Sequence, residues 1–346
     1  MEYRKLGLTG LDISVIGLGT MTWGMQNTQQ EGFEQMDYAL ERGVNFFDTA
    51  EMYAVPPSSE TCGATETIIG NWFSSRSNRD KVILASKIAG PGLPWIRDGN
   101  SIIDKKNINL AIEASLKRLK TDYIDLYQLH WPNRGSYHFG QIWEYAPKFD
   151  KQAEEDNFLS VLHSMQALID EGKIRHIGLS NETAWGMTKW LQLAQQNNLP
   201  RMASIQNEYS LLCRHFEPDL SEIAIHENCG LLAWSPLSRG TISGKYLNGA
   251  RPEGTRLTLD PRVEHREHPR TDAAITEYIN LAKQHNLDVC QMALAFVNNQ
   301  PFVSSTLIGA TNMEQLTNNI DSIDLKLSKE VYEGISKIHR NNPMPY

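Results

Sequence analysis

The sequence predicts an α/β fold in which eight strand–helix units close into a single (β/α)8 TIM barrel. Short runs rich in Val, Ile and Leu recur along the chain, and they lack the two-residue alternation of half-exposed strands. This pattern is typical of strands with both faces buried. Segments of helical length separate the runs, and 346 residues are enough for eight such units. Because no linker interrupts the even composition, we expect one domain over residues 1–346.

Eight apolar runs are predicted to form the barrel strands, and they are Val15–Leu18, Asn45–Asp48, Val82–Lys87, Tyr123–His130, Ile174–Gly178, Ala203–Gln206, Leu231–Trp234 and Ser305–Ile308. Helices are predicted between them at 31–42, 64–75, 107–120, 158–171, 183–197, 217–228, 271–299 (broken at Asn286–Asp288) and 312–320. Gly43, Gly172 and Gly230 follow three of these helices, where a left-handed C-terminal cap favours glycine.

Further elements lie outside the eightfold repeat. Tyr3–Leu6 and Leu11–Ser14 flank a turn, which predicts a small β-hairpin that closes the bottom of the barrel. Ser328–His339 predicts an extra C-terminal helix. Three long loops each follow a predicted strand and are therefore expected at the C-terminal face, where barrel active sites are built: 88–106, 131–157 and 235–270.

The composition excludes several classes of function. Lys and Arg number 33 and Asp and Glu number 41, which gives a formal charge of −8. A nucleic-acid-binding surface needs an excess of basic residues, so no nucleic-acid partner is expected. No run of about 18 apolar residues occurs, so no membrane span is expected. The four cysteines form no C-x-x-C pair and no metal-finger spacing, and we expect a metal-free cytoplasmic protein.

Four polar residues stand where a barrel places its chemistry. Asp48, Lys87 and His130 end the second, third and fourth predicted strands, and Tyr53 follows Asp48 in the next loop. A buried Lys87 requires a counter-charge, which Asp48 supplies. The ammonium would favour the phenolate of Tyr53 and lower its pKa from about 10. Tyr53 can then pass a proton to a carbonyl oxygen while His130 hydrogen-bonds the same oxygen.

A series of motifs in chain order resembles the aldo-keto reductase superfamily. It covers the chain from about residue 3 to 340 and comprises Gly17-Leu-Gly-Thr20, Asp48-Thr-Ala50, Tyr53, Ala85-Ser-Lys87, Tyr123–His130, Gly178-Leu-Ser-Asn181, Gln206, Trp234-Ser-Pro-Leu237 and Gly240…Gly244-Lys-Tyr246. The loop Glu51–Pro57 and the segment Thr306–Thr311 look closest to a bacterial branch of NADP(H)-dependent reductases.

The resemblance implies NADPH-dependent reduction of aldehydes and ketones, with a small carbonyl compound as substrate and without a metal. Tyr53 would be the general acid, and Lys87 would lower its pKa. Asp48 would hold Lys87, and His130 would orient the carbonyl group.

The resemblance also implies a binding site for NADPH or NADP+. Ser180, Asn181 and Gln206 would hold the nicotinamide carboxamide, and Trp234 would stack on the ring. The expected cofactor contacts are Gly19, Thr20, Met21, Gln26, Ser180, Asn181, Gln206, Trp234, Ser235, Pro236, Leu237, Ser238, Arg239, Gly240, Lys245, Arg256, Gly309, Thr311, Gln315, Asn318 and Asn319.

The adenosine end of this site departs from the family pattern. Many members carry a basic pair after the last strand that holds the 2′-phosphate, whereas this chain has Gly309 and Gln315. Thr311, Asn318 and Asn319 remain as neutral partners. Backbone N–H groups at a helix start bind phosphate without a side-chain charge. We therefore expect NADPH, with a weaker preference over NADH than in members with the basic pair.

Trp23, Trp95 and Trp131 lie in or near the mouth loops and are expected to line an apolar substrate pocket.

One alternative function is that of an NADPH-binding, redox-sensing module similar to potassium-channel β-subunits, although that branch looks to have asparagine where this chain has His130. The other is a Schiff-base enzyme with Lys87 as the nucleophile, which a neighbouring carboxylate disfavours by keeping the amine charged.

Overall fold

A closed barrel of eight parallel strands forms the centre of the computed structural model, which describes residues 1–260 and 266–346. An antiparallel hairpin, β1 (Tyr3–Lys5) and β2 (Asp12–Ser14), precedes it. The barrel strands are β3 (Ile16–Gly19), β4 (Phe46–Asp48), β5 (Ile83–Ile88), β6 (Ile124–Leu129), β7 (Ile174–Ser180), β8 (Met202–Gln206), β9 (Gly230–Ala233) and β10 (Val303–Ile308). They pair in chain order, and β10 closes on β3. This confirms the predicted TIM barrel.

Helices connect and cover the strands. They are α1 (Gln29–Glu41), α2 (Ala64–Arg76), α3 (Lys105–Leu119), α4 (Lys151–Asp170), α5 (Ala184–Gln196), α6 (Leu220–His226), α7 (Arg256–Leu259), α8 (Pro269–Gln284), α9 (Val289–Asn298), α10 (Met313–Asp321) and α11 (Lys329–Asn341). The break between α8 and α9 confirms the one predicted at Asn286–Asp288, where Asp288 caps α9 through the Gln291 N–H. Within the described part of the chain, no helix is both long and apolar enough to cross a membrane.

The helix boundaries differ from the prediction in places where apolar periodicity is absent. The helix expected at 158–171 begins at Lys151, because Asp150 accepts a hydrogen bond from the backbone N–H of Ala153 at 3.0 Å. The added turns are largely exposed and charged, so they show no apolar stripe. The helix expected at 217–228 is shorter, and α7 was not predicted.

The interior has two apolar layers, one inside the barrel and one between the strands and helices. The inner layer is a cluster of Leu6, Ile13, Phe46, Ala85, Leu126, Ala203, Leu232 and Leu307. Leu6 follows β1 and Ile13 lies in β2, so the hairpin packs into the end of the barrel where the strands begin. The opposite end, at the carboxyl ends of the strands, remains for the site.

Gly70 lies where α2 packs on α3. A Cβ at this position would overlap the carbonyl oxygen of Arg118 and lie 2.7 Å from the carbonyl carbon of Leu119. Because both atoms belong to the backbone, the helices would have to separate. We expect Gly70→Ala to lower the free energy of unfolding by about 2 kcal/mol, although alanine is the better helix former.

Urea denaturation measures this effect, with Gly32→Ala on α1 as the control. The atoms nearest to a Cβ at Gly32 would be side-chain atoms of Trp23 and Ile68, at 3.3 Å. Equal stability of the two variants would contradict the close approach of α2 and α3.

Candidate active site

The carboxyl ends of three neighbouring strands bring the four predicted polar residues together. Asp48 ends β4, Lys87 lies in β5 opposite Gln128 of β6, and His130 follows β6. Tyr53 reaches this point from the loop after β4. The Lys87 Nζ lies 5.0 Å from the centroid of the Tyr53 ring, and the ring centroids of Tyr53 and His130 are 5.8 Å apart.

A buried ion pair joins Asp48 to Lys87, as predicted. The Lys87 Nζ donates to Asp48 Oδ2 at 2.6 Å and to the carbonyl oxygen of Thr49 at 2.7 Å, and the lysine side chain has no exposed surface. The second carboxylate oxygen, Asp48 Oδ1, accepts hydrogen bonds from Gln128 Nε2 at 3.1 Å and Gln206 Nε2 at 2.8 Å. Three side chains on three other strands therefore hold this carboxylate.

The environment keeps Lys87 in its charged form. Burial lowers the pKa of Lys87, but Asp48 and then Tyr53 outweigh burial, so the pKa is raised above its ordinary value. An amine that stays protonated is a poor nucleophile. The geometry therefore disfavours the Schiff-base alternative.

The pKa of Tyr53 is raised, which contradicts the predicted lowering. Burial has the largest effect and disfavours the phenolate, and the lowering by Lys87 does not compensate for it. The prediction counted the nearby ammonium but not the apolar wall around the ring. That wall includes Ala50, Met52, Ala89 and Ile96. The phenol therefore holds its proton in the free protein.

The His130 imidazole is also neutral. Burial and then the Lys87 charge hold the pKa of His130 well below its ordinary value. Its Nδ1 is buried and has no hydrogen-bond partner among the described residues. A neutral imidazole carries one N–H and can donate it to a carbonyl oxygen.

Two of the three predicted pocket residues border these groups. Trp95 and Trp131 pack with Tyr53 in one apolar cluster. The structure contradicts the prediction for Trp23, which is fully buried, and its Nε1 donates to Gln35 Oε1 of α1 at 3.0 Å. The turn after β3 directs this ring under α1 and away from the mouth.

Phe139 occupies a position that was not predicted. Its ring centroid lies 6.3 Å from that of Trp131 and 6.1 Å from that of Trp234, and it is nearly parallel to Trp234 at 21°. A solvent-open cleft of about 650 Å³ adjoins Phe139, with Tyr137 and Phe216 in its wall. Phe139 thus spans the mouth between two sides of the barrel. No periodicity in its long loop could have indicated this.

The residues predicted to hold the nicotinamide meet at the ends of β7, β8 and β9. Asn181 has a left-handed φ of +52°, and its Nδ2 donates to the carbonyl oxygen of His130 at 2.9 Å. Asn181 Oδ1 accepts from Trp234 Nε1 at 3.2 Å. The Ser180 hydroxyl donates to the carbonyl oxygen of Gln206 at 2.9 Å. The structure therefore brings this group together beside His130.

The segment Ser235–Asp260, here called the strap, extends from the end of β9 to the loops after β3 and β4. Gln26 Nε2 donates to the carbonyl oxygen of Gly254 at 3.0 Å. Arg256 donates to the carbonyl oxygen of Val55 at 3.3 Å. The predicted residues Gln26 and Arg256 therefore lie where the strap contacts the loops after β3 and β4.

Arg239 on the strap has the features of an anion-binding residue. Its guanidinium carbon lies 5.7 Å from the centroid of the Trp234 ring. Burial and then Arg266 hold the pKa of Arg239 well below its ordinary value, and Glu208 opposes them only in part. In the described ranges, no residue accepts a hydrogen bond from Arg239. An arriving anion would relieve this unfavourable environment.

Two further predicted cofactor contacts, Thr20 and Ser238, have side chains buried beneath the site. Thr20 and Ser238 are fully buried, and their hydroxyls bond the carbonyl oxygen of Asp48 and the hydroxyl of Ser210, both at 2.8 Å. Their side chains are therefore not at the surface of the mouth. A Cβ at Gly19 would lie 2.9 Å from a backbone oxygen of β10, so a glycine is needed there.

The residues predicted at the adenosine end separate into two groups. The N–H and hydroxyl of Thr311 both donate to Gln315 Oε1 at 3.1 Å, and a Cβ at Gly309 would meet no atom within 4 Å. Asn319 is buried and donates to the carbonyl oxygen of Gly309 at 3.2 Å. Asn318 instead contacts the start of α9, so the structure does not place its side chain with the others.

Comparison with known proteins identifies the family to which this barrel belongs. The model of the Aldo/keto reductase family matches residues 15–340. The chain belongs to the aldo/keto reductase family. It is 46% identical to "Protein tas" of Escherichia coli (strain K12) over 343 residues, 98% of each chain, which confirms the resemblance to a bacterial branch.

Two further relatives are less similar in sequence to this aldo/keto reductase. It is 32% identical to the "Uncharacterized oxidoreductase YrpG" of Bacillus subtilis (strain 168), over 98% of this chain and 96% of that protein. It is 38% identical to an "Aldo-keto reductase" of Babesia bovis, over 69% of this chain and 88% of that protein. Family membership makes the protein an oxidoreductase that acts on carbonyl groups, in a family that generally uses NADH or NADPH.

Gln128, like Phe139, is a residue of this aldo/keto reductase site that the sequence pattern did not single out. It lies two positions before His130, and alternate residues of a strand share one face. It also pairs in register with Lys87. The spacing of Gln128 and His130 was the signal that could have found it.

We expect the imidazole of His130 in this aldo/keto reductase to take up a proton well below the ordinary pH range of a histidine, because burial depresses its pKa. The unfolded chain takes up this proton near pH 6.5. The contribution of His130 to the free energy of unfolding is therefore full above about pH 6.5 and falls as the pH drops below it. Proton NMR of the imidazoles, with His130→Gln to assign the resonance, measures the pKa. A His130 resonance that titrates near pH 6.5 would contradict the burial argument.

Proposed function

We propose that this aldo/keto reductase uses NADPH to reduce aldehydes and ketones to alcohols. The observation that carries the proposal is the buried Asp48–Lys87 pair beside neutral Tyr53 and neutral His130. In this reaction the carbonyl carbon gains a hydride and the carbonyl oxygen gains a proton. Bound NADPH supplies the hydride.

The proton comes from Tyr53 in this proposal. Burial raises the pKa of the phenol, so Tyr53 holds its proton until negative charge develops on the substrate oxygen. Once the proton moves, the negative charge lies on the phenolate, where the adjacent Lys87 ammonium stabilises it. Asp48 keeps that ammonium charged and in place.

The remaining groups orient the reacting carbonyl and exclude water. His130 is neutral and buried beside Tyr53, which suits it to donate a hydrogen bond to the same oxygen. Gln128 fixes the Asp48 carboxylate and so supports Lys87 indirectly. Trp95 and Trp131 offer an apolar surface to the rest of the substrate.

The residues present fit a nicotinamide dinucleotide. Trp234 offers an indole face to a ring, and Asn181 and Gln206 offer amide groups beside it. Arg239, which finds no acceptor in the described ranges, offers a positive charge to the diphosphate. Lys245, whose Nζ lies close to Gly240, offers a second one.

We also propose that residues 1–346 act as one domain on a small carbonyl compound, without a metal or a nucleic-acid partner. The chain's formal charge of −8 supports the last point. Turnover distinguishes this proposal from the redox-sensing module. Tight binding of NADPH with no loss of reduced cofactor across a screen of aldehydes and ketones would favour the regulatory alternative.

Replacement of Tyr53 by phenylalanine removes the transferable proton and almost no volume. We expect Tyr53→Phe to lower kcat by about 10²-fold or more, the scale of a lost general acid, with little change in the Kd of NADPH. Stopped-flow loss of NADPH absorbance with an aldehyde measures kcat. The matched control is Tyr3→Phe in the hairpin, which loses a hydroxyl hydrogen bond to Gly43 at the far end of the barrel. Retained turnover in Tyr53→Phe would refute the proton-donor role.

The neutral adenosine end predicts a modest preference for NADPH over NADH. With Gly309 and Gln315 in place of basic residues, we expect the Kd of NADPH to be about tenfold lower, a difference of about 1.4 kcal/mol. Quenching of tryptophan fluorescence reports binding if a ring stacks on Trp234. Equal dissociation constants for the two cofactors would overturn the NADPH assignment.

A further inference from the structure

A second buried ion pair lies at the mouth, between the loops after β6 and β7. Arg134 donates through Nη1 to Glu182 Oε2 at 3.1 Å and through Nη2 to Glu182 Oε1. The side chains are 1% and 3% exposed. Glu182 also accepts hydrogen bonds from the Thr183 backbone at 2.6 Å and from Trp190 Nε1 at 3.3 Å. The mechanism proposed above uses neither Arg134 nor Glu182.

Aromatic rings enclose the guanidinium of this pair. The Arg134 Cζ lies 5.0 Å from the ring centroid of Trp185, 5.5 Å from that of Phe158 and 5.8 Å from that of Phe149. In addition, a Cβ at Gly186 of α5 would overlap both Glu182 Oε1 and Arg134 Nη2. The pair therefore occupies a space shaped closely around it.

The pair lies directly beside two residues of the proposed site. Arg134 follows His130 by four residues, and Glu182 follows Asn181 immediately. Asn181 Nδ2 donates to the carbonyl oxygen of His130, so the two loops are joined at two points. Asn207, after β8, adds a third loop through hydrogen bonds with the backbone of Glu182 at 2.9 and 3.2 Å.

Stability alone does not account for this arrangement. A buried ion pair adds little to stability because the cost of desolvation offsets the attraction, and apolar replacement of both partners is often neutral. In some proteins a buried ion pair instead fixes one specific geometry of its surroundings. The position of Asn181 matters because its amide contacts both the His130 carbonyl oxygen and Trp234 Nε1.

We propose that Arg134 and Glu182 are positioning residues that fix His130 and Asn181 relative to each other. Through these two residues the pair sets the approach of the nicotinamide to the substrate carbonyl. The inference rests on the proposed function, and neither member of the pair touches a reacting atom.

The double variant Arg134→Met/Glu182→Leu tests this role, because it removes both charges and leaves apolar side chains in the aromatic enclosure. We expect its melting temperature to fall by about 5 °C, because the Thr183 N–H and Trp190 Nε1 lose their acceptor. We expect kcat for benzaldehyde to fall about tenfold. The deuterium isotope effect with NADPH that carries deuterium at the transferred C4 position should rise, because a slower hydride transfer limits a larger share of the overall rate.

Cofactor affinity gives a second readout that a purely structural role would not move. The Kd of NADPH should rise several-fold, since the nicotinamide is no longer held in one orientation. The Kd of 2′-phospho-ADP-ribose, which lacks the nicotinamide, should stay the same. Gly186→Ala provides an independent variant, since it keeps both charges but displaces them. We expect it to lower kcat in the same direction.

The control is a similar pair at the other end of the barrel. Arg79 Nη2 lies 2.7 Å from Asp125 Oδ2, and the two side chains are 15% and 9% exposed. The double variant Arg79→Met/Asp125→Leu should leave the isotope effect and the ratio of the two dissociation constants unchanged.

The outcomes separate the positioning role from the proposed function. Suppose that the wild type reduces benzaldehyde, and that Arg134→Met/Glu182→Leu and Gly186→Ala both have the kcat and isotope effect of the control variant Arg79→Met/Asp125→Leu. The positioning role is then wrong, and the proposed function stands. If the double variant unfolds, Gly186→Ala decides in the same way. If the wild type binds neither NADPH nor NADH, the proposed function is wrong and the positioning role falls with it.

Discussion

The contact between Asp48 and Lys87 is the interaction on which the mouth of the barrel depends. A fully buried ammonium is stable in an apolar interior only when a counter-charge and further acceptors surround it. Here Asp48 and the Thr49 carbonyl do so, and Gln128 and Gln206 hold the carboxylate from the other side. Strand register brings these partners together, because β4, β5, β6 and β8 direct one polar residue each to the same end.

The barrel and the main polar residues could be predicted because both depend on patterns that are local in sequence. Buried parallel strands give apolar runs, and a barrel places the ends of those runs on one face. Asp48, Lys87 and His130 were visible for that reason. The orientation of Trp23 was not, because it depends on a turn that directs the ring toward Gln35. The raised pKa of Tyr53 depends on apolar residues from separate loops, and Phe139 depends on the path of a long loop.

The Asp48–Lys87 and Arg134–Glu182 ion pairs act on their surroundings in different ways. Lys87 lies beside the Tyr53 ring, so its charge acts directly on the pKa of that phenol. The Arg134–Glu182 pair is enclosed by aromatic rings and lies one layer further out. Its field is largely cancelled within the pair, so its effect is exerted through the positions of the loops. Charge and shape at the mouth are therefore controlled by separate groups of residues.

The hairpin has a practical consequence for work with this enzyme. Its turn carries Leu8, which is 70% exposed, and Gly10, at which a Cβ would meet no atom within 4 Å. This turn lies at the barrel end opposite the strand termini that carry the polar residues. A short peptide or a chemical handle inserted there would anchor the molecule to a solid support with its opening directed toward the solution. Immobilised in this orientation, the barrel would stay accessible to dissolved reactants.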